Sequence, residues 1–321
     1  MDKLHIAIVH RVPLPAKRYG GTERTLWWLA QAFNEMGHRV SLVLPQGSQC
    51  PFATVIPFSS PDQVEGLIPK DADVVQATYL LKTSKPFLMT MNGNAFPGEK
   101  FHPNTVFVSR DHARRHKSEA FVYPCVRPED YPALEPEAKE PFCMFLAKAR
   151  WKVKNVKGAI DVSRAAGVPI RIIGGWRPSL SRKVRWLGWV DDERKKQTLK
   201  NGSALLFPVR WHEPFGVAIF EAMVTGSPVF GTPYGSLPEL VPEGTGFLSS
   251  HTSELANALK KYDQYDRQAI RKYVLDHYTP RHMAEKYLEY SLHVMSGKTL
   301  NPHEPEALTK VSPLTLLDWE Y

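Results

Sequence analysis

The chain contains little cysteine and no long apolar run, and these two absences exclude several classes of protein. Its three cysteines, Cys50, Cys125 and Cys143, are odd in number and far apart. They predict a reduced, cytoplasmic protein with neither a disulfide framework nor a zinc site. No apolar run approaches the ~18 residues that a membrane-spanning helix needs. A strand is predicted almost at the amino terminus, which leaves no room for a signal peptide.

Patterns that would bind a metal ion are also missing. The 12 histidines show no His-Glu-x-x-His or comparable spacing. Asp71-Ala72-Asp73 has the form of a D-x-D metal motif, but it precedes a predicted strand instead of following one. We interpret it as a solvated turn, and we expect neither a metal ion nor a cofactor.

The chain does have length, apolar residues and positive charge. Its 321 residues suffice for two domains, and the 43% that are apolar suffice for packed cores. A formal net charge of +8 favours anionic partners such as nucleotide sugars, nucleic acid or an acidic membrane surface. The basic runs have neither zinc-finger spacing nor an RNP-type aromatic strand, so nucleic acid is the less favoured partner. Peripheral contact with the inner face of an acidic membrane stays open.

Strand-like and helix-like segments alternate along the chain, which predicts an α/β fold with parallel sheets covered by helices. Residues 123–141 separate two such series and hold five prolines with acids interspersed, which predicts an extended linker. We expect a first domain over 1–125 and a second over 126–279. A further helix is expected over 280–295, because Thr279-Pro280 is a typical helix start. The tail 296–321 has no clear periodicity and no predicted position.

The most informative stretch contains two glutamates eight positions apart, Glu213 and Glu221. The apolar run 204–207 predicts a buried parallel strand, and residues 217–224 predict a helix. Glu213 would therefore lie in the loop at the carboxyl end of a strand, where open α/β sheets bind their ligands. Glu221 would lie about two turns along the helix.

The start of that helix, at Phe215, Gly216 and Val217, presents amide groups that suit a phosphate. A carboxylate beside a phosphate is repelled by it. The two glutamates would instead accept hydrogen bonds from hydroxyls, as in the binding of a sugar or a ribose.

Four cations follow the first strand of the second series: Lys148, Arg150, Lys152 and Lys154. In an extended loop, side chains two positions apart share a face, so the four could line one wall of a cleft. Such a wall would suit a pyrophosphate, whose negative charge it could balance.

The two glutamates and the Gly226–Val229 and Gly235–Val241 runs that follow them resemble the retaining glycosyltransferases of family 4. This resemblance implies a GT-B fold, with two Rossmann-like domains facing a central cleft and a last helix crossing back to the first domain. It also implies a nucleotide-diphosphate sugar as donor and a hydroxyl as acceptor. The anomeric configuration would be retained, and no metal would be needed.

The same resemblance assigns roles to residues of the second domain. Glu213 would contact the donor hexose and Glu221 the ribose of the nucleotide. Arg150 and Lys154 would bind the pyrophosphate, although Lys157 is a competing match for the lysine. Glu239 would help to shape the nucleotide end of the site, unless its role is local to its own helix.

In the first domain, Tyr19-Gly20-Gly21-Thr22 resembles the family's glycine pair. Gly20 and Gly21 would contact the donor phosphate or the acceptor, because glycine permits a close backbone approach. Thr22 would cap the following helix and contact the acceptor or a sugar. Asn92 stands where many relatives have a histidine, and it could donate a hydrogen bond to a sugar.

Two other functions remain open. The chain could be a nucleotide-sugar epimerase or phosphorylase on the same architecture. It could also be a non-catalytic protein that binds nucleotides or nucleic acid, although two glutamates at the site would repel a phosphate backbone.

Overall fold

The computed structural model describes residues 3–16, 20–134, 139–307 and 312–321. These residues form two compact units. The first unit contains the described residues up to Cys125 and those from Pro280 to Ser312, and the second contains 126–279 and 313–321.

The first unit is built on a six-stranded sheet. Its strands are β1 (His5–Val9), β2 (Arg39–Pro45), β3 (Thr54–Phe58), β4 (Val74–Ala77), β5 (Phe87–Met91) and β6 (Thr105–Phe107). Their order is β3-β2-β1-β4-β5-β6, and all neighbours pair in parallel. The helices α1 (Gly21–Glu35) and α2 (Val64–Leu67) lie between the strands, and α3 (Arg110–Arg114) follows β6. Every residue of β1, β4, β5 and β6 is buried, which explains why these strands are nearly continuous apolar runs.

The second unit contains another six-stranded parallel sheet. Its strands are β7 (Glu140–Leu146), β8 (Ile170–Ile173), β9 (Val184–Gly188), β10 (Gly202–Phe207), β11 (Val229–Gly231) and β12 (Gly246–Leu248). Their order is β12-β11-β10-β7-β8-β9, so β7 and β10 are central neighbours. The helices are α4 (Val156–Ala166), α5 (Asp192–Asn201), α6 (Val217–Met223), α7 (Leu237–Leu240), α8 (Thr252–Leu259) and α9 (Arg267–His277).

The last helix, α10 (Pro280–Met295), follows the second unit in sequence but belongs to the first. It packs against α1 and β5. The buried Tyr287 hydroxyl lies 2.9 Å from the hydroxyl of Thr90 on β5. The predicted α/β fold class, with a helix that returns to the first unit, is therefore confirmed. Among the described residues, no helix combines the length and the apolarity that crossing a bilayer requires.

The first helix and α3 begin in different ways. Ser109 caps α3, because its hydroxyl accepts a hydrogen bond from the amide of His112. The prediction that Thr22 caps the first helix is wrong. That helix begins at Gly21, with Gly20 in the cap position and no side-chain cap bond, so Thr22 lies inside the first turn. Tyr19 of the same motif lies outside the described residues.

The stretch predicted as an extended linker packs onto the second unit. The amide of Val126 donates to the carbonyl of Tyr278 at 3.0 Å, and Pro128–Asp130 form a 3-10 turn. Tyr131 is buried, with only 5% of its surface exposed. Pro136 lies outside the described residues.

The tail, which had no predicted position, is shared between the units. Asn301 is buried in the first unit, where its amide donates to the carbonyl of Pro103 at 2.7 Å. Residues 313–321 belong to the second unit, and Trp319 joins the apolar core around α4 and α8. The amide of Thr252 donates to the carbonyl of Glu320 at 2.8 Å.

His112, on α3, and His116, just after this helix, lie in the apolar core of the first unit. The His116 ring stacks on Phe107, with 4.6 Å between ring centroids, and the His112 ring meets Phe107 edge-on. Burial lowers the pKa of His112 well below its ordinary value, and the adjacent His116 lowers it further. The native protein therefore holds His112 as a neutral ring.

This burial predicts that the protein loses stability as the pH falls below about 6.5. The unfolded chain then protonates His112 and the folded chain does not, so unfolding takes up a proton and acid favours it. Between about pH 7.5 and 5.5, the free energy of unfolding should fall by about 1.4 kcal/mol less in His112→Phe than in the wild type. The check is the thermal midpoint at both pH values, with the exposed His303→Ala as control. Equal pH sensitivity in His112→Phe and the wild type would contradict the assignment.

Candidate active site

The strongest cluster of predicted site residues lies at the carboxyl ends of β7 and β10 in the second unit. The loop 147–155 follows β7, and the loop 208–216 follows β10. Because the two strands are parallel neighbours, their following loops lie side by side at one edge of the sheet.

The prediction that four cations line one wall after β7 is wrong. The loop is not extended, because the amide of Trp151 donates to the carbonyl of Lys148 and Lys152–Lys154 form a 3-10 turn. The side chains therefore diverge. Arg150 and Lys152 are exposed, whereas Lys154 is buried at 7% exposure.

Lys154 and Glu213 form a buried ion pair. The ammonium of Lys154 lies 2.5 Å from Oε2 of Glu213, and the indole N–H of Trp211 donates to the same oxygen at 2.7 Å. Lys154 also lies over the Trp211 ring, 4.6 Å from its centroid. Within the described residues, Oε1 of Glu213 accepts no hydrogen bond. The cluster thus has balanced charge and one carboxylate oxygen that a ligand can use.

Lys157, the competing match for the family's lysine, lies elsewhere. It is exposed on α4, where its ammonium binds Asp161 at 2.9 Å and lies over the ring of Tyr321. The structure thus brings Lys154, and not Lys157, to Glu213. The contact of Lys154 with a donor stays a prediction.

Two glycines near Glu213 allow positive φ angles and close backbone packing. Gly216, at φ 86°, lies before the first residue of α6, and Gly235 has φ 65°. Gly235 pairs with Glu213 so closely that a Cβ atom at position 235 would overlap the backbone of Glu213. The amide of Ser236 donates to the carbonyl of Glu213 at 2.9 Å. The loop after β11 therefore supports the glutamate from its backbone side.

The predicted phosphate-binding residues at the start of α6 have different roles. The ring of Phe215 is buried and stacks on Phe220 at 5.1 Å, so its side chain is part of the core. The amides of Val217 and Ala218 have no hydrogen-bond partner among the described residues. They are the groups of this turn that can bind an anion.

Glu221 occupies a different environment from Glu213. Its Oε1 accepts a 2.7 Å hydrogen bond from the hydroxyl of Tyr131 and pairs with the ammonium of Lys195. Lys195 is buried and also lies 3.2 Å from Asp192 on α5. Glu221 therefore ties α6 to α5 and to the segment before β7, and its predicted contact with a ribose would have to use Oε2.

Glu239 lies half-buried in the first turn of α7. Its amide donates to the carbonyl of Ser236, which follows the glycine that pairs with Glu213. Backbone hydrogen bonds thus connect Glu213 to Glu239 through Ser236. Its part in nucleotide binding stays a prediction.

Sequence analysis missed Trp211, Tyr131 and Lys195, and it missed the carboxyl-terminal tail. The backbone amide and carbonyl of Leu317 both bind Arg210, the residue before Trp211, at 2.9 and 2.7 Å. The hydroxyl of Tyr234 donates to the carbonyl of Asp318. Trp211 offered a local signal, as an aromatic residue two positions before Glu213. The others act across long sequence distances and carried no such signal.

In the first unit, Gly20, Gly21 and Thr22 lie after β1, and Asn92 lies after β5, at the carboxyl edge of that sheet. Asn92 is half-buried, and its amide lies 3.4 Å from the carbonyl of Thr90.

Sequence analysis also missed His10 at this edge. Its Nδ1 lies 2.7 Å from the hydroxyl of Thr78, and its Nε2 lies 3.8 Å from the carboxylate of Glu23. Its position directly after β1 was the available signal. Neither unit, within the described ranges, contains three or more His, Cys, Asp or Glu side chains grouped to hold a metal ion.

Comparison with known proteins gives a family match for part of the chain. Residues 143–262 match the family described as Glycosyl transferases group 1. This stretch runs from within β7 to beyond α8 and includes both glutamates.

Solved structures are similar in fold over most of the chain. AviGT4, a glycosyltransferase involved in avilamycin A biosynthesis, superposes with a TM-score of 0.78 at 22% identity, over 92% of this chain and 99% of that one. HepE of Anabaena, solved with UDP and glucose, gives 0.65 at 16% identity, over 89% and 98%. Together with the two six-stranded parallel sheets, these similarities establish the fold of the GT-B glycosyltransferases.

Curated relatives are similar over a shorter stretch. A phosphatidyl-myo-inositol mannosyltransferase of Propionibacterium freudenreichii subsp. shermanii is 25% identical over 139 residues, which is 40% of this chain and 36% of the relative. An uncharacterized 41.2 kDa protein from the cps region of Klebsiella pneumoniae is 29% identical over 154 residues, covering 42% and 40%. The matches span well under half of each relative's length.

The environment of Glu221 predicts that it contributes to stability. Glu221→Gln would remove the buried counter-charge of the Lys195 ammonium and leave it only the partly exposed Asp192, which should lower the free energy of unfolding by about 2 kcal/mol. The matched control is Glu285→Gln, which breaks the exposed Arg281–Glu285 pair and should change it by under about 0.5 kcal/mol. Urea denaturation measures both. If the two variants were equally stable, the buried pair would not have the structural role described here.

Proposed function

We propose that this protein transfers a sugar from a nucleotide-diphosphate sugar to an acceptor hydroxyl, as a hexosyltransferase of glycosyltransferase family 4. The anomeric configuration would be retained, and neither a metal ion nor a cofactor would take part. The proposal is supported by the GT-B fold, by the match of residues 143–262 to Glycosyl transferases group 1, and by the geometry around Glu213.

The observation that carries the proposal is the buried cluster of Lys154, Trp211 and Glu213. A lone carboxylate would repel the donor's pyrophosphate. The adjacent ammonium cancels that repulsion, so Glu213 can stand beside a dianion and still accept a hydrogen bond from a sugar hydroxyl through Oε1. Such an arrangement suits a ligand that combines phosphates with a carbohydrate.

The pyrophosphate would bind to the amides of Val217 and Ala218 and to Arg150. The amides have no other partner, and Arg150 is exposed and unpaired within the described residues. Lys154 makes one bond to Glu213, which leaves two ammonium hydrogens for a phosphate oxygen. These donors would stabilise the negative charge that develops on the leaving group.

The reaction would exchange one bond for another at the anomeric carbon. The bond from that carbon to the phosphate oxygen breaks, and a bond to the acceptor oxygen forms on the same face. The departing phosphate takes the proton of the acceptor hydroxyl. Glu221 would bind the ribose through Oε2, and Glu239 would shape the nucleotide end of the site. In the first unit, Gly20 and Gly21 would contact the donor phosphate or the acceptor.

Substitution of Glu213 and Arg150 tests the site. Glu213→Gln and Arg150→Ala should each lower kcat for transfer by about 100-fold, because each removes a group that acts on the reacting part of the donor. The controls are Glu243→Gln and Lys152→Ala, which alter exposed residues of the same unit. Far-ultraviolet circular dichroism would show that each variant is folded. Transfer within about threefold of wild type in both site variants would refute the assignment.

Binding of the donor alone can be tested without knowing the acceptor. A nucleotide sugar that binds the folded protein should raise its thermal midpoint, in proportion to the logarithm of ligand excess over Kd. A panel of UDP-, GDP- and ADP-sugars would identify the nucleotide. Following the stabilising sugar by NMR separates an epimerase, which would isomerise it without an acceptor. If no nucleotide sugar stabilises the protein while RNA does, the non-catalytic alternative would be favoured.

A further inference from the structure

The connection between β8 and β9 is unusual for parallel neighbours. The strands are joined by residues 174–183, here called the β8–β9 loop, which contain no helix. Parallel strands are normally joined by a crossover of about a dozen or more residues, which usually includes a helix that covers the sheet. A loop without such a helix cannot bury its own apolar side chains by folding back.

The β8–β9 loop exposes large apolar side chains to solvent. All of residues 176–183 are exposed. Trp176 is 69% exposed and Leu180 is fully exposed, at 107% of its reference surface. Hydrogen bonds within residues 179–184 close a turn at Ser179 and Ser181. Exposed tryptophan and leucine side chains in one loop indicate a surface that is covered by a partner.

The cations of this loop have no counter-charges. Arg177, Arg182 and Lys183 are exposed and form no ion pair with any described residue. Arg185 follows on the edge strand β9 and is exposed as well. Residues 162–190 contain no aspartate or glutamate. The charged side chains of the loop and of β9 are therefore all basic.

The exposed apolar side chains and the positive charge of the loop together favour one kind of partner. Tryptophan is enriched at the boundary between lipid and water, where its ring lies at the level of the headgroups. Exposed arginine and lysine are attracted to anionic headgroups. A nucleic acid would match the charge and could stack on Trp176, but it offers no apolar environment for Leu180. A bilayer accommodates all of these side chains.

We propose that the β8–β9 loop docks the protein on the surface of an anionic phospholipid bilayer. Trp176 and Leu180 enter the interfacial region, and Arg177, Arg182 and Lys183 lie among the headgroups. The base of the loop is bonded to the turn that carries Arg150, because the amide of Ala149 donates to the carbonyl of Gly174 at 2.9 Å. The loop thus begins at the sheet edge that holds the proposed donor site and runs to the opposite edge, where the carbonyl of Lys183 accepts a hydrogen bond from the amide of Ile170 at 2.8 Å.

Vesicle co-sedimentation tests the proposal and needs no substrate, so it is independent of the proposed function. The full chain should bind vesicles of phosphatidylcholine with about one third phosphatidylglycerol, and bind much less to phosphatidylcholine alone. Raised salt should weaken the binding. Arg177→Gln/Arg182→Gln should weaken it by about 25-fold, at about fivefold per cation.

A matched control separates a specific surface from general positive charge. Lys260→Gln/Lys261→Gln removes the same charge from exposed positions in the same unit, and should leave vesicle binding within about twofold of wild type. Equal losses in the two double variants would overturn the proposal, because net charge alone would then explain the binding.

The apolar part of the surface needs its own readout. Leu180→Ser should reduce binding to the anionic vesicles while leaving the thermal midpoint unchanged, since Leu180 is fully exposed. Brominated phosphatidylcholine should quench less tryptophan fluorescence in Trp176→Phe than in wild type, because it quenches rings that enter the bilayer. Unchanged binding by Leu180→Ser together with unchanged quenching in Trp176→Phe would overturn the proposal. Binding of single-stranded RNA by the wild-type protein, together with no binding to vesicles, would also overturn it.

Discussion

The ion pair between Lys154 and Glu213 is the interaction on which the second unit's site depends. Each charge is buried, and a buried charge without a partner costs several kcal/mol, so neither residue could occupy its position alone. The pair is possible because β7 and β10 are central neighbours, which brings a loop from each to the same sheet edge. Its consequence is chemical as well as structural, because a neutralised carboxylate tolerates phosphate nearby.

Two other parts of the chain hold the loop that carries Glu213 by contacts with its backbone and with Arg210. Gly235 and Ser236 bind the main chain of Glu213, and Leu317 of the tail binds Arg210, two residues before His212. The tail reaches this place after α10 has been part of the first unit. Arg210 and Glu213 of the loop after β10 are therefore fixed by segments outside that loop, which favours a rigid and preorganised glutamate.

The two glutamates of one motif have separate physical roles. Glu213 lies in a loop at a strand end, and Glu221 lies on α6 against Tyr131 and Lys195. Their spacing in sequence is compatible with both being ligand contacts. Their partners indicate that Glu221 also joins helices of the second unit, so a substitution there alters stability together with any effect on binding.

Sequence alone determined the α/β class, the helix over 280–295, and the position of Glu213 after a buried strand. These follow from apolar periodicity and from glycine and proline punctuation, which act within a few residues. Only the tertiary structure decided that Lys154 rather than Lys157 meets Glu213, that the basic loop turns instead of extending, and where the tail lies. Those outcomes depend on contacts between residues far apart in the chain, and local pattern contains no information about which distant partner a side chain will find.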